Sequence, residues 1–244
     1  VRPVEVFGKS DIGQVRSTNQ DACRFGKLSD TVLYAVVCDG MGGASGGNVA
    51  SRIATDIVAG RIESQYRDNM PQASVFNLLE SAVAAANIEV FDRATADAAL
   101  AGMGTTLVAV VVDGTHVMAA HVGDSRLYRF HDGSSEQITV DHSVVQEMIE
   151  KGQITAAEAR NHPRKHFITR AVGVEAAVQC DFSGFSLEEG DRLLVCTDGL
   201  TNMLSDGDIA ETVAKTPPEM LADTLVDAAN RAGGEDNITA VIIA

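Results

Sequence analysis

The chain has 244 residues, of which 45% are hydrophobic and 22% are charged, an ordinary composition for a folded domain. The formal net charge is −15, and the only modest basic cluster runs from Arg160 to Arg170. Nucleic acid is not expected as a partner, because its binding requires a basic face that displaces counterions from phosphates. Residues 1–244 are expected to form one domain and a monomer.

The first half of the chain predicts a strand followed by two helices. The apolar run at 32–38 predicts a strand, and a glycine-rich turn at 40–47 follows it. A second, longer helix is predicted from about Ala73 to Ala98. The first helix should bury the apolar residues that recur at helical spacing, which are Val49, Ile53, Ile57 and Val58.

Strands dominate the next part of the chain. Asp113-Gly114 should join segments 105–112 and 115–122 in a hairpin, because Asp-Gly suits a tight hairpin turn. Segments 127–130 and 135–139 flank residues 131–134 in the same way.

Capping signals mark two further helices. Residues 141–161 predict two short helices, of which the second begins at the capping box of Thr155 and Glu158. Thr216 should cap a later helix that has Pro217 in its first turn. Antiparallel strands with bracketed helices predict an α+β sandwich.

The cysteines and the apolar segments bear on the compartment. No apolar stretch approaches the ~20 residues of a membrane helix, and residues 1–5 lack the pattern of a signal peptide. The cysteine spacing includes no C-x-x-C pair, so neither a zinc site nor a disulfide framework is expected. A reducing, cytoplasmic location is therefore expected. The cysteines are Cys23, Cys38, Cys180 and Cys196.

Three aspartates lie where apolar runs meet turns. Asp39 and Asp198 each follow a predicted strand, and Asp236 precedes one. In an antiparallel sheet the end of one strand lies beside the start of its neighbour, so these carboxylates could meet at one sheet edge. For Asp39 and Asp198 a metal ligand and an ordinary turn residue both remain open. Asp113 and Asp132 are interpreted as hairpin turns.

Two more aspartates extend this acidic set. Asp124 ends another apolar run, and Asp21 precedes a possible strand. Carboxylate oxygens without His or Cys suit hard divalent ions such as Mg²⁺ or Mn²⁺.

The glycine-rich turn also permits a nucleotide-binding interpretation. Gly40, Gly42 and Gly46 follow a strand and open a helix. A dinucleotide site needs a βαβ unit, whereas here the helix leads to another helix, and no Gly-Lys-Ser/Thr of a P-loop is present. This alternative is weak.

Eight motifs in order over nearly the whole chain resemble those of the metal-dependent (type 2C, PPM) serine/threonine protein phosphatases of bacteria. They are Arg16-x-x-Asn19-Gln20-Asp21, Asp39-Gly40-Met41-Gly42-Gly43, Gly102-Met103-Gly104-Thr105-Thr106, Val122-Gly123-Asp124-Ser125-Arg126, Asp141-His142-Ser143, Ile168-Thr169-Arg170-Ala171-Val172-Gly173, Thr197-Asp198-Gly199 and Gly234-Glu235-Asp236-Asn237-Ile238-Thr239. The resemblance implies a four-layer α-β-β-α sandwich with two antiparallel sheets flanked by helices.

The resemblance also implies a set of metal ligands. Asp39 would bridge two Mn²⁺ or Mg²⁺ ions, and the Gly40 carbonyl would bind one of them. Asp198 and Asp236 would hold the other ion. Asp124, together with Asp198, matches positions that bind a third ion in bacterial relatives.

The remaining implied roles concern substrate and mechanism. Arg16 would hold the substrate phosphate, and Asp21 would orient metal-bound water. Residues 141–170 resemble a variable flap beside the site. A metal-bridging hydroxide would attack phosphorus in line and release phosphate from phosphoserine or phosphothreonine. Phosphorylated proteins are the expected partners, among them a Ser/Thr kinase.

Several positions depart from the family pattern. Met41 stands where many eukaryotic relatives have a histidine proposed as general acid, and Gln20 replaces a frequent glutamate. Ala44 and Asn48 stand where many bacterial relatives have His and Glu. The general acid is therefore open, with candidates only in or near the flap, namely His142, His162 and His166. The alternative function is a catalytically weak signalling module of the same fold.

Overall fold

The computed structural model describes residues 4–43 and 46–244. The strands are β1 (Val6–Asp11), β2 (Asp21–Lys27), β3 (Val32–Met41), β4 (Gly104–Thr105), β5 (Leu107–Asp113), β6 (His116–Val122), β7 (Arg126–His131), β8 (Ser134–Gln137), β9 (Asp181–Ser186), β10 (Arg192–Cys196) and β11 (Ile238–Ile243). The helices are α1 (Gly46–Gln65), α2 (Gln72–Ala96), α3 (Val144–Glu150), α4 (Ala156–Ala159), α5 (Asp198–Thr201), α6 (Asp206–Lys215) and α7 (Pro218–Arg231).

Two antiparallel sheets form the centre of the fold. The first has the order β1-β11-β10-β7-β8, and the second has the order β2-β3-β5-β6-β9 with β4 paired to β3. The inner faces bury a shared apolar layer that includes Val37, Val110, Val195 and Val241. Helices α1 and α2 cover the outer face of the second sheet, and α6 and α7 cover that of the first. The predicted four-layer sandwich is confirmed.

The buried face of α1 differs from the prediction. Ala50, Ala54, Val58 and Ile62 are buried. Of the predicted residues, Val58 is fully buried and Ile57 packs, partly buried, against the same core. Val49 and Ile53 instead pack against a small separate cluster that contains Ala50, Val90 and Met103. The prediction considered only the large apolar residues and so missed the buried alanines, because a small side chain adds little to a hydrophobic pattern.

Helix α2 is long and apolar enough, by length and composition alone, to cross a membrane. The sequence-based statement that no such segment exists is therefore wrong for residues 72–96. One face of α2 is buried in the core, through Val75, Leu79 and Val83. A core helix of a folded domain passes the same test.

Of the two predicted helix N-caps, one is confirmed and one is wrong. Thr155 and Glu158 form the predicted capping box at the start of α4. Helix α7 is capped at Pro217 without a side-chain hydrogen bond, and Thr216 instead ends α6 in an extended conformation. The prediction of Thr216 as N-cap is wrong, because the helix begins at Pro218 and its N-cap is Pro217, which is held in an extended conformation by the proline that follows it.

Candidate active site

A cavity of about 600 Å³ opens where the ends of the two sheets meet. This central cavity is lined by four of the predicted aspartates together with the predicted arginine and glycine. The predicted site residues in its wall are Arg16, Asp39, Gly40, Asp124, Asp198 and Asp236. Asp39 belongs to the second sheet, whereas Asp198 and Asp236 flank β10 and β11 of the first. The expectation of a single sheet edge is wrong, because the facing ends of two sheets supply these groups.

Threonine side chains fix the backbone around Asp39. The Asp39 N–H donates to Thr106 Oγ1 at 2.9 Å, and Thr105 Oγ1 donates to the Asp39 carbonyl at 2.9 Å. At the next residue, a Cβ on Gly40 would lie 2.0 Å from the Gly47 carbonyl oxygen. A side chain at position 40 is therefore excluded, which leaves the backbone of this turn open to the cavity.

Asn237 holds together the loop that carries Arg16. Its Nδ2 donates to the carbonyls of Ile12 at 2.9 Å and Thr18 at 3.0 Å, and its Oδ1 accepts from the Gln20 N–H at 2.8 Å. Arg16 Nη2 then donates to Asp236 Oδ2 at 2.7 Å. Asn237 thus positions the predicted phosphate-binding arginine.

Asp21 is buried and lies opposite Asp39 in the pairing of β2 with β3. Its Oδ2 accepts hydrogen bonds from Thr197 Oγ1 at 2.9 Å and Thr239 Oγ1 at 2.7 Å, whereas Oδ1 is buried without a partner. Burial and, more weakly, the charges of Asp198 and Asp236 raise the pKa of Asp21 to about 7, against the effect of the two threonines. An unpaired buried carboxylate oxygen needs a donor or a cation nearby.

The carboxylates that face the cavity repel one another. Burial is the largest cause that raises the pKa of Asp39, Asp124 and Asp198, and neighbouring carboxylates raise each of them further. Such a group of like charges is relieved by bound cations, and a ligand set made only of oxygens suits a hard divalent ion. The residues present therefore fit Mn²⁺ or Mg²⁺.

A family model for protein phosphatase 2C matches residues 8–233. The chain belongs to this family. The protein phosphatase PhpP of Streptococcus pneumoniae is 36% identical over 244 residues, which cover 98% of this chain and 97% of that protein. The chain is accordingly a serine/threonine protein phosphatase.

Solved structures agree with this assignment. The crystal structure of the serine/threonine phosphatase Stp1 from Staphylococcus aureus matches with a TM-score of 0.93 and 35% identity, covering 99% of this chain and 94% of that one. The catalytic domain of the phosphatase PstP, solved in complex with two manganese ions, matches with a TM-score of 0.86 and 32% identity, covering 98% and 97%.

The three histidines considered as general acid lie in different surroundings in this phosphatase. His166 lines the central cavity, whereas His142 is buried and bonds Asp181. His162 lies in the flap, where its Nδ1 accepts from the Arg164 N–H at 3.1 Å. Ala44 lies outside the described residues.

Sequence reasoning did not single out the residues that support the carboxylates. Thr106, Thr197, Thr239 and Asn237 act through hydrogen bonds to Asp39, to Asp21 and to the Arg16 loop. All four stand within or beside the motifs that carry the family resemblance, and this position in the motifs could have indicated their role.

Proposed function

We propose that this phosphatase binds two or three Mn²⁺ or Mg²⁺ ions in the central cavity and uses them to hydrolyse phosphoserine and phosphothreonine in proteins. Asp39, Asp198, Asp236 and the Gly40 carbonyl would hold two ions, and Asp124 a third. The observation that carries the proposal is the convergence of four carboxylates and one arginine in one cavity. The PstP relative with two manganese ions supports the number and the kind of ion.

The protein side chains have distinct tasks in this reaction. Bound divalent ions would lower the pKa of coordinated water and so supply a nucleophile at neutral pH. Arg16 can turn its fork of donors to the phosphoryl oxygens, because its side chain is 53% exposed at the cavity wall. Asp21 has one buried carboxylate oxygen without a partner, Oδ1, and would use it to orient a water.

The departing serine or threonine alkoxide needs a proton. Arg16 is needed as a hydrogen-bond donor to the phosphoryl oxygens, and carboxylates that bind metal have no proton to give. Among the residues that the structure describes, His166 is a histidine in the cavity wall, and histidine is the side chain most often used as a general acid. We assign the donation of this proton to His166.

The substrates would be phosphorylated proteins, among them a Ser/Thr kinase. The flap forms one wall of a second cavity of about 350 Å³ that shares Asp124 and Asp198 with the central one, so it can contact a bound substrate. All four cysteines are free thiols, in agreement with the cytoplasmic location that we propose.

The test is the release of phosphate from a phosphothreonine peptide. We expect turnover with Mn²⁺, no turnover with EDTA, and a loss of at least about 100-fold in Asp39→Asn. Asp132→Asn is a matched control, because Asp132 also precedes a glycine but its side chain is 92% exposed in a hairpin turn. Metal binding without turnover would instead support the catalytically weak signalling module.

A further inference from the structure

Asp141 and His142 stand at the root of the flap and contact the chain on both sides of Asp124. On one side, the Asp141 carboxylate accepts from Arg126 Nε at 2.9 Å and from Arg126 Nη2 at 2.7 Å. This bidentate pair is largely buried, with side chains that are 23% and 12% exposed. Such a fork-to-carboxylate pair fixes orientation as well as distance.

On the other side, His142 bonds Gly123 twice. The His142 N–H donates to the Gly123 carbonyl at 2.9 Å, and the Gly123 N–H donates to His142 Nδ1 at 3.1 Å. Gly123 has a φ of +104°, and a Cβ there would lie 2.7 Å from Thr106 Cγ2. The turn before Asp124 is therefore tightly constrained, and His142 is one of the groups that constrain it.

The same histidine also fixes both ends of the flap. Its carbonyl accepts from the Thr169 N–H at 2.8 Å, and its Nε2 lies 3.1 Å from Asp181 Oδ2. Arg170 Nη1 donates to Asp181 Oδ1 at 2.8 Å. The start of the flap is therefore joined to β9 by the His142 side chain, its end is joined to β9 by the Arg170 side chain, and the His142 carbonyl joins the two ends to each other.

The ring nitrogens of His142 have fixed roles in this arrangement. Nδ1 accepts a hydrogen bond and so carries no proton, and Nε2 can donate its proton to Asp181. Burial, together with the nearby Arg170, lowers the pKa of His142 even though Asp181 opposes this effect. A neutral imidazole is therefore the form that makes both contacts.

A metal site is the competing interpretation of this cluster. The ligand atoms of His121, His142 and Asp181 lie within 4.8 Å of one another. Arg170 Nη1, however, is 2.8 Å from Asp181 and 3.2 Å from His142 Nε2. His121 stacks on His142 with ring centroids 4.4 Å apart and uses its own Nε2 on the Val140 carbonyl. The guanidinium group of Arg170 thus occupies the position that a metal ion would take, and the role of this cluster is structural.

We propose that Asp141 and His142 form a clamp that holds Asp124 between them and couples its position to that of the flap. Both are positioning residues, since they act through Arg126 and Gly123. The proposal rests on the role of Asp124 in metal binding stated above. A partner that displaces the flap would then change metal binding at Asp124, and metal at Asp124 would stabilise one flap position.

Two substitutions separate the contacts of His142. In His142→Asn the amide oxygen replaces Nδ1 and keeps the acceptor for the Gly123 N–H, but the side chain is too short to reach Asp181. In His142→Gln the amide reaches toward Asp181 and the acceptor for Gly123 is lost.

A third substitution tests the contact of Asp141. Arg126→Lys keeps the positive charge beside Asp141 but loses the bidentate pair. His131→Asn is the control, because His131 also bonds a carboxylate, Asp191, at 2.6 Å.

The first readout is amide exchange of the metal-free proteins by NMR. His142→Gln should lower the protection of the Gly123 amide about fivefold, the value of one hydrogen bond. His142→Asn should keep that protection and lower it at Thr169 and in the flap. His131→Asn should change neither. This readout needs no activity, so it fails or succeeds independently of the proposed reaction.

The second readout is the calorimetric affinity of the weakest Mn²⁺ site. It should fall in His142→Gln and in Arg126→Lys but not in His142→Asn, and Asp124→Ala should abolish it. The clamp is overturned if the Asn and Gln variants behave alike in both readouts, or if His142→Gln leaves the Gly123 amide and the Mn²⁺ affinity unchanged.

Discussion

Replacing Asp21 with Asn should change how the free energy of unfolding of the metal-free protein depends on pH. Burial raises the pKa of Asp21 from 3.8 to about 7 in the folded protein, with Thr239 and Thr197 opposing and Asp198 and Asp236 reinforcing the shift. Between these two values the folded state keeps a proton that the unfolded state has released. The free energy of unfolding therefore falls as pH rises from 3.8 to about 7, and this loss is complete above pH 7.

The magnitude follows from the size of the shift. Each pKa unit corresponds to ~1.4 kcal/mol. Between pH 5 and pH 8 only the two units below about pH 7 contribute, so the ionisation of Asp21 removes roughly 3 kcal/mol over this range. Asparagine does not titrate, and it can still accept hydrogen bonds from the two threonines. Relative to the unaltered protein, Asp21→Asn should gain ~3 kcal/mol in stability from pH 5 to pH 8.

Urea unfolding in EDTA at pH 5, 6, 7 and 8 measures this difference. Asp132→Asn serves as the control, because it makes the same substitution at an aspartate that is 92% exposed in a hairpin turn. A curve for Asp21→Asn that runs parallel to that of the unaltered protein would refute the reasoning, since it would mean that Asp21 titrates alike in the folded and unfolded states.

Three further predictions concern the cavity. Arg16→Ala should raise the KM for a phosphopeptide by at least about tenfold without lowering the calorimetric Mn²⁺ affinity, because it frees Asp236 from its ion pair; equal losses of both would contradict the role of Arg16. His166→Asn should slow hydrolysis of a phosphoserine peptide about 100-fold but spare p-nitrophenyl phosphate, whose leaving group needs no proton; an equal effect on both substrates would exclude His166 as the donor. Gly40→Ala should cost at least ~1–3 kcal/mol of stability, seen as a lower melting temperature, since its Cβ would meet the Gly47 carbonyl; an unchanged melting temperature would contradict this close packing.

The sequence predicted the positions of the carboxylates better than their arrangement. Asp39, Asp198 and Asp236 stood out because each lies where an apolar run meets a turn. Their convergence from two sheets could not be predicted from strand ends alone, because it depends on how the sheets stack through their inner faces. That stacking is set by packing contacts between segments far apart in the chain.

The supporting hydrogen bonds were also beyond the reach of sequence patterns. Thr239 bonds Asp21 across 218 residues, and Asn237 reaches the Arg16 loop across more than 200. Single polar residues in strands and turns have many ordinary uses, so no local pattern distinguishes these. The hairpins and the capping box of α4 were predicted, since each depends on residues a few positions apart.

The central claim is that the carboxylates of the central cavity bind divalent metal ions. Calorimetric titration of Mn²⁺ into the EDTA-treated and dialysed protein tests it most directly, with Asp198→Asn and Asp39→Asn beside the exposed control Asp132→Asn. We expect at least two ions per chain for the unaltered protein and the control, and fewer or weaker sites in both cavity variants. Binding of fewer than two ions, or binding that neither cavity substitution weakens, would contradict the account.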